Sequence, residues 1–311
     1  MRFTLRQLEY FVAACDAGSV TEAALSIPVA QSSVSAAIAQ LEEAVGVQLM
    51  IRHHAQGVSP TPAGRRFLEE ARSLLREADR IERFTTELTD EISGPLDLGC
   101  LVTLAPLVIP ELCRAFSSRH AGVTIRVVEA AQDELLEGVR SGRLSLAVTY
   151  DLEIDAQISF EGLASLPPYA VVAADHPLAA RGELTLSDLA GEPLVLLDLP
   201  HSRDYFRSLF AAEGLEPTVG HRSAHPETIR TMVANGYGYT VVNARPRVDS
   251  ALDGRRLVTV PLAGEPQPMV LGVAALADDR PTRVVTAFRE HCRRVITATS
   301  VPGLSMDGGR E

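Results

Sequence analysis

Residues 5 to 66 hold three consecutive amphipathic segments, each closed by a stop or opened by a cap, and a seven-residue apolar repeat follows directly. A chain written this way is committed to a small helical unit with one long helix behind it. Leu5, Leu8, Phe11, Val12 and Cys15 share a face of a helix expected over Leu5 to Asp16. Gly18 ends it, and Ser19 with Glu22 three residues on predicts a capping box for a second helix that turns Val20, Ala23, Ala24 and Ile27 inward. A turn over Ser26 to Ala30, with Pro28 in it, leads to a third helix from Gln31 that buries Val34, Ile38, Leu41 and Val45 until Gly46 stops it. Its other face carries Gln31, Ser32, Ser33, Ser35, Ala36, Ala39 and Gln40. Short polar and methyl groups of this kind can approach base edges closely in a major groove. An ordinary solvated helix face has the same composition.

The next residues separate the two readings. Gln48 to Arg52 predicts a strand, Ala55 to Gly57 a turn and Val58 to Thr61 a return strand, so the third helix is followed by a small β-wing carrying Arg52, His53 and His54. A wing lies along the phosphate backbone, where Arg supplies salt-sensitive attraction; the two histidines also read as plain solvated residues. Thr61 is a good N-cap and Pro62 suits the first position of a long helix. Along that helix Phe67, Ala71, Leu74, Ala78, Ile81, Thr85, Leu88 and Ile92 alternate spacings of four and three, as a coiled-coil seam does. A helix lying on its own domain is the alternative, but the flanking charges Glu69, Glu70, Arg72, Arg76, Glu77 and Arg80 favour a paired helix. Pairing would present two recognition helices to a two-fold symmetric DNA site. Gly94-Pro95 is expected to break the helix.

With these residues in place the chain resembles the LysR-type transcriptional regulators from residue 5 to about residue 296. The resemblance is carried by Leu5-Arg6-Gln7-Leu8-Glu9-Tyr10-Phe11, Gly18-Ser19-Val20-Thr21-Glu22-Ala23-Ala24, Gln31 with Ser35 and Ile38, Leu41-Glu42, Gly46-Val47 and Thr61-Pro62-Ala63-Gly64. It departs from the family at Ala30, where a Ser cap is usual, and at Ala36 and Ala37, where a basic or amide pair is usual. The resemblance implies an all-α winged helix-turn-helix over residues 1–62 and a dimerisation linker helix over 63–94. Behind them it implies an α/β effector-binding domain over 95–311, shaped like a periplasmic binding protein, with lobe I at about 95–166 and 267–296 and lobe II at about 167–266. It further implies promoter DNA as partner, a homodimer through the linker helix, a homotetramer of two dimers that bends DNA, and altered contact with RNA polymerase. DNA contacts are expected at Gln31, Ser32, Ser33, Ser35, Ala36, Arg52 and His53.

From Leu96 onward short strands alternate with helices, which predicts α/β units over largely parallel sheets. Strands are expected at Leu96 to Leu101, Thr124 to Glu129 and Leu144 to Tyr150, then at Tyr169 to Ala174, Leu194 to Leu197, Thr218 to Arg222 and Tyr239 to Asn243. Met269 to Ala275 and a helix from Thr282 to Ile296 return to the first lobe, and the tail from Ser300 is expected to be disordered. Ligands of open α/β sheets sit beyond the carboxyl ends of strands, where helix N-termini point N–H groups at anions. That places Thr103, Thr149, Tyr150, Pro200, His201, Ser202 and His225 at the cleft, with Thr103 and Ser202 as candidate helix caps. The family resemblance implies effector contacts at Leu101, Thr103, Tyr150, Pro200, His201, Ser202, Tyr205 and His225. Read structurally, Leu101 is core, Thr103 and Ser202 are plain caps, and Tyr150 and Tyr205 are packing residues. Dipoles, hydroxyls and imidazoles together predict a small carboxylate or other polar metabolite. Asn243 stands where many relatives carry Pro.

The net charge of −11 looks wrong for a DNA binder until it is divided along the chain. Residues 1–66 carry five Arg against five acids, residues 67–94 four against eight, and the remainder 20 against 27, so the acid lies away from the DNA-facing segment. There is no Lys, and Arg favours bidentate phosphate and carboxylate contacts. The charged first helix is no signal peptide, and no apolar run reaches membrane-spanning length, which together predict a cytoplasmic protein. Catalysis finds no support: Ser202 lacks a G-x-S-x-G elbow, no glycine-rich loop matches a nucleotide fingerprint, and His53-His54 lacks further metal ligands, so no enzyme, cofactor or metal is expected. The alternatives are a solute-binding protein without DNA function and a redox-sensing regulator using Cys15, Cys100, Cys113 or Cys292. Cys15 and Cys100 fall on core faces, where thiols are usually inert.

Overall fold

The computed structural model describes residues 2–27, 29–53, 57–86, 92–277 and 280–306. The chain divides into two compact units, Met1–Glu91 and Ile92–Glu311.

In the first unit, α1 (Leu5–Ala17) starts at a capping box that the sequence reading did not include: Thr4 accepts from the Gln7 N–H and Gln7 reaches back to Thr4. Its buried face is Leu8, Tyr10, Phe11 and Ala14, with Leu5 41% exposed, so the helix is rotated from the expected face. Tyr10 and Ala14 take the inner places because α3 packs against that side. Ser19 caps α2 (Val20–Ser26) through the Glu22 N–H. No side chain caps α3 (Gln31–Val45), because Ala30 has only a methyl at that position. Gly46 closes α3 in the left-handed conformation, as expected for a C-terminal glycine. The wing is β1 (Met50–His53) paired antiparallel with β2 (Gly57–Pro60). The expected turn at Ala55 and the position of His54 lie outside the described residues, as does Pro28. Gly57 is obligatory: its φ is +89° and a Cβ there would sit 2.2 Å from the Gly18 carbonyl oxygen. That close approach seats the wing on the α1–α2 turn, where the Val58 N–H donates to Gly18 O at 2.8 Å.

Thr61 caps α4 (Pro62–Thr86), accepting from the Gly64 N–H at 2.8 Å. The start of the expected seam is absorbed by the unit itself. Phe67 meets Phe3 and Phe11 edge-on at 6.2 and 5.6 Å, and Ala71 is buried in the same core. Arg72 is held by Asp16 of α1, so it is no flanking charge of a paired helix. Leu74 stays exposed at 39%. The side chains of Ile81 and Thr85, and all of Leu88, lie outside the described residues. Ile92 packs on the core of the second unit instead of continuing the seam.

The second unit has two lobes. Lobe I is a five-stranded sheet in the order β4-β3-β5-β12-β6, from β3 (Gly94–Leu101), β4 (Val123–Ala130), β5 (Leu146–Tyr150), β6 (Ile158–Leu166) and β12 (Met269–Leu276). It packs α5 (Ala105–Ser117), α6 (Gln132–Arg140) and α10 (Arg283–Val295). β3, β4 and β5 are parallel, but β12 runs antiparallel to both β5 and β6, so the sheet is mixed and not largely parallel. The returning strand enters from the opposite end, which forces that reversal. Strand β6 was not expected. Lobe II holds β7 (Tyr169–Ala173), a short 3-10 turn (Pro177–Ala180), α7 (Leu186–Ala190), β8 (Leu194–Leu197), α8 (Pro200–Ala212), β9 (Val219–Ser223), α9 (Pro226–Ala234), β10 (Thr240–Val242) and the unexpected β11 (Leu257–Pro261). β10 and β11 flank β7 antiparallel, β8 and β9 pair parallel, and a bridge at Leu194 and Tyr239 joins the two groups. The chain crosses between lobes at 167–168 and again at 262–268.

The tail is ordered through Met306, against expectation. Val301 and Leu304 are 1% and 4% exposed, Leu304 bridges Pro246, and Ser305 N–H donates to Arg245 O at 2.9 Å. Gly303 has φ +75° and lies so close to Leu107 that a Cβ would fall 1.7 Å from its carbonyl oxygen. Two buried apolar side chains hold this segment down, which composition alone did not reveal.

Candidate functional site

The outer face of α3 presents Gln31, Ser32, Ser33 and Ala36 exposed and Ser35 half-exposed, while Val34, Ile38 and Leu41 fill the core beneath. Gln40 is exposed too, and its Oε1 accepts from Gln7 Nε2 at 3.1 Å, linking α3 to α1. Arg52 is exposed on β1. His53 lies on the same strand, but its side chain is outside the described set. The wing is aligned to α3 by Glu42, whose Oε1 accepts the N–H groups of Leu49 and Met50 at 2.8 and 2.9 Å. Glu42 was legible only as part of a motif, and its geometric role comes from the structure. The unit thus sets a helix face of small polar groups beside a wing arginine, the arrangement that reads base edges and holds phosphates.

In the second unit a cavity of ≈ 100 Å³ lies between the lobes. Thr103, Tyr150 and Ser202 line it. The N-termini of three helices border it through Pro106 and Leu107 of α5, Ser202 of α8, and Pro226 and Glu227 of α9. Its body is apolar: Val102, Leu197, Phe206, Val242 and Met269. Several expected residues are placed differently. Leu101 is 2% exposed and belongs to the lobe I core, though its edge reaches a ≈ 10 Å³ crevice shared with Pro200 and His201. Thr149 is fully buried and donates to Gln132, whose Nε2 in turn donates to the Tyr150 and Leu152 carbonyls, so it positions the strand end instead of facing the cavity. Ser202 is not a cap, because Leu199 occupies that position and Ser202 stands in the first turn. Thr103 is no cap either, with Leu104 in that role. His201 Nε2 contacts Asp133 Oδ1 across the lobes at 2.6 Å, so its imidazole is engaged by protein. His225 is exposed at the start of α9 and is not among the residues lining this cavity. Tyr205 lies at the hinge, donating to the Gln267 carbonyl at 2.6 Å, and desolvation pushes its phenol up to about 12. Burial raises the Tyr150 phenol still further, so both stay neutral.

Three polar lining residues are not among those expected from the sequence. Glu227 and Arg230 lie one helical turn apart on α9, 3.8 Å from each other, and Arg230 also donates to the Val248 and Ser250 carbonyls at 2.9 and 3.0 Å. Their signal was the charge pair directly after His225-Pro226. Asn243 was visible only as a departure from the usual Pro, and it is 6% exposed at the end of β10.

A small winged unit with a readable helix face, joined to a two-lobed α/β unit with a cavity between its lobes, defines a ligand-responsive DNA-binding regulator. Residues 5–65 match the family model of the bacterial regulatory helix-turn-helix protein, lysR family, and residues 89–297 match the LysR substrate binding domain. The chain belongs to the LysR family of transcriptional regulators, which are not enzymes. It is 31% identical over 241 residues to a hydrogen peroxide-inducible genes activator of Pectobacterium carotovorum subsp. carotovorum, covering 77% of this chain and 80% of that protein. Among solved structures it is similar to HinK, a LysR family regulator from Pseudomonas aeruginosa, at 38% identity and TM-score 0.65 over 95% of this chain and 99% of that one. It is also similar to full-length CbnR, solved in complex with its target DNA, at 25% identity and TM-score 0.57 over 94% and 99% of the two chains. No helix among the described residues is by itself long and apolar enough to cross a membrane.

Proposed function

We propose that this regulator reads promoter DNA through Gln31, Ser32, Ser33, Ser35 and Ala36 of α3, with Arg52 and His53 of the wing on the phosphates. Residues 1–62 would act as the DNA-binding domain, 63–94 as the dimerisation helix and 95–311 as the effector domain. It would work on promoter DNA in the cytoplasm, as a dimer or a tetramer of two dimers whose altered contact with RNA polymerase carries the output. The effector is a small molecule with an apolar body and a polar, anionic end. The observation that carries this is the convergence of three helix N-termini on a cavity walled by Tyr150, Phe206, Val242 and Met269. The first-turn N–H groups of α8 have no intrahelical acceptors and the helix dipole favours negative charge there.

The peroxide-responsive relatives raise a redox reading, and the thiols argue against it. None of the four lines the cavity, and burial pushes Cys113 up to about 11 and Cys15 and Cys292 up to about 12. A thiol held protonated is a poor nucleophile toward peroxide.

Footprinting of the full-length protein on the intergenic DNA beside its own gene, at two salt concentrations, tests the DNA reading. A protected, roughly two-fold symmetric stretch that weakens steeply with salt is expected. Arg52→Ala should weaken every sequence and reduce the salt slope by about one, whereas Gln31→Ala should relax specificity at one base pair. Identical effects of both substitutions on matched and mismatched sites would refute this division of roles.

A further inference from the structure

Asn243 holds a buried hydrogen-bond acceptor that the protein leaves open. Its Nδ2 lies 2.7 Å from the Leu166 carbonyl oxygen, which can only accept, and this fixes which end of the amide is nitrogen. The second Nδ2 hydrogen goes to the Tyr205 hydroxyl oxygen at 3.1 Å, whose own proton is donated to the Gln267 carbonyl. Both donors are therefore used. The Oδ1 is buried and meets no donor. A buried amide oxygen in that state is uncommon, because its lost hydration is not replaced.

The position makes the open acceptor informative. Asn243 lines the cleft cavity and also a larger hinge cavity of ≈ 620 Å³ walled by Pro167, Pro168, Tyr169, Pro266, Pro268 and Met306. The strongest donor on the cleft wall, the Arg230 guanidinium, already donates to the carbonyls of Val248 and Ser250. Through Leu166 and Gln267 the Asn243–Tyr205 pair also touches both stretches where the chain crosses between lobes.

We propose that Asn243 is a specificity residue of the effector site and that the effector carries a hydroxyl or N–H group that donates to Asn243 Oδ1. This rests on the reading that the cleft holds the effector. The ligand is then two-ended: a negative group at the α8 N-terminus, an apolar or aromatic middle against Tyr150 and Phe206, and a donor at the hinge. A donor bound there completes a hydrogen-bond network that ends on both crossovers, so occupancy and lobe geometry become coupled.

The test uses full-length protein and three ring acids of one shape class: 4-hydroxybenzoate, 4-methoxybenzoate and benzoate, titrated calorimetrically. 4-Hydroxybenzoate should bind at least about tenfold more tightly than either of the others, since a site built around a hydrogen bond rejects analogues that lack the donor. In Asn243→Leu that ratio should fall to about one, a readout that survives a general weakening of the hinge. Equal binding of all three by the natural protein would mean that water satisfies Oδ1 and would overturn the proposal. So would a ratio that persists in Asn243→Leu, or no binding of any probe. Ser202→Trp, which fills the cleft, separates the two levels. Binding undiminished in that variant overturns the cleft reading itself, while binding lost there with an unchanged ratio in Asn243→Leu overturns only the role of Asn243.

Discussion

At the scale of single residues, what the DNA-binding unit needs most is a carboxylate that touches no DNA in the proposed arrangement. Glu42 gathers two backbone N–H groups at the start of the wing, and hydrogen bonds to a charged acceptor are each worth about 1.5–3 kcal/mol. Glu42→Ala should therefore destabilise the first unit by about 2 kcal/mol or more and swing the wing away from α3. Glu42→Gln keeps an oxygen at the same place and should lose less. Thermal unfolding of both variants, with DNA affinity measured well below the transition, checks this; equal loss in the two would mean that the wing is held by β1–β2 pairing alone. Residues of this kind were only half legible. The motif position of Glu42 could be seen, but a backbone N–H seven residues away is a tertiary partner that spacing does not reveal. Ser202 fails in the opposite direction: a good capping residue type lies three positions inside its helix because Pro200 already fixes the first turn.

Elements show a sharper divide. The helices of the first unit start within a few residues of the positions expected because their apolar period and caps are local, as at Gly46 and Thr61-Pro62, whereas the five-residue α7 was not expected. Strand β6 was missed because its nine residues mix Ser, Glu and Gly with few β-branched side chains, and it exists through pairing with β12, which is more than a hundred residues away in sequence. Its Glu161 accepts from Arg293 and Arg289 of α10, and the bond from Arg293 above all lowers its carboxyl below the ordinary range. A depressed carboxyl contributes stability above its unfolded pKa that is lost as pH falls through the folded one. The stability difference between the natural protein and Glu161→Gln should thus be present at pH 7 and shrink below about pH 4.5. A difference independent of pH from 7 to 3 would show that packing, not charge, joins β6 to α10. The C-terminal segment is an element of the same tertiary kind. Glu111 accepts from the Gly303 N–H at 3.0 Å and pairs with Arg247 at 3.1 Å, so the tail fastens α5 of lobe I to the stretch after β10 in lobe II. Ending the chain after Thr299 removes the buried Val301 and Leu304 and should cost about 3 kcal/mol or more of effector-domain stability. A truncated protein that melts with the full chain would show the tail to be dispensable.

For the whole molecule, the effector can act only by binding one arrangement of the lobes more tightly than another. A contact between the lobes that is suited to bias that balance is His201 at the start of α8 against Asp133 at the start of α6, with Asp133 72% exposed. An exposed pair of this kind is worth at most about 1 kcal/mol, so its removal should leave the melting temperature almost unchanged. The same energy is about a fivefold change in a two-state lobe equilibrium, which is enough to be read in ligand affinity. Asp133→Asn and His201→Ala should accordingly weaken binding of a cleft ligand by up to about fivefold, and the double variant should be no weaker than either single one, because both remove one shared contact. Additive losses would mean that the two side chains act separately, His201 on the ligand and Asp133 on the dipole of α6. The sequence position of His201 at the cleft predicts a ligand contact, and it gives no sign of the protein partner that engages its imidazole, which comes from a helix 68 residues earlier in the chain.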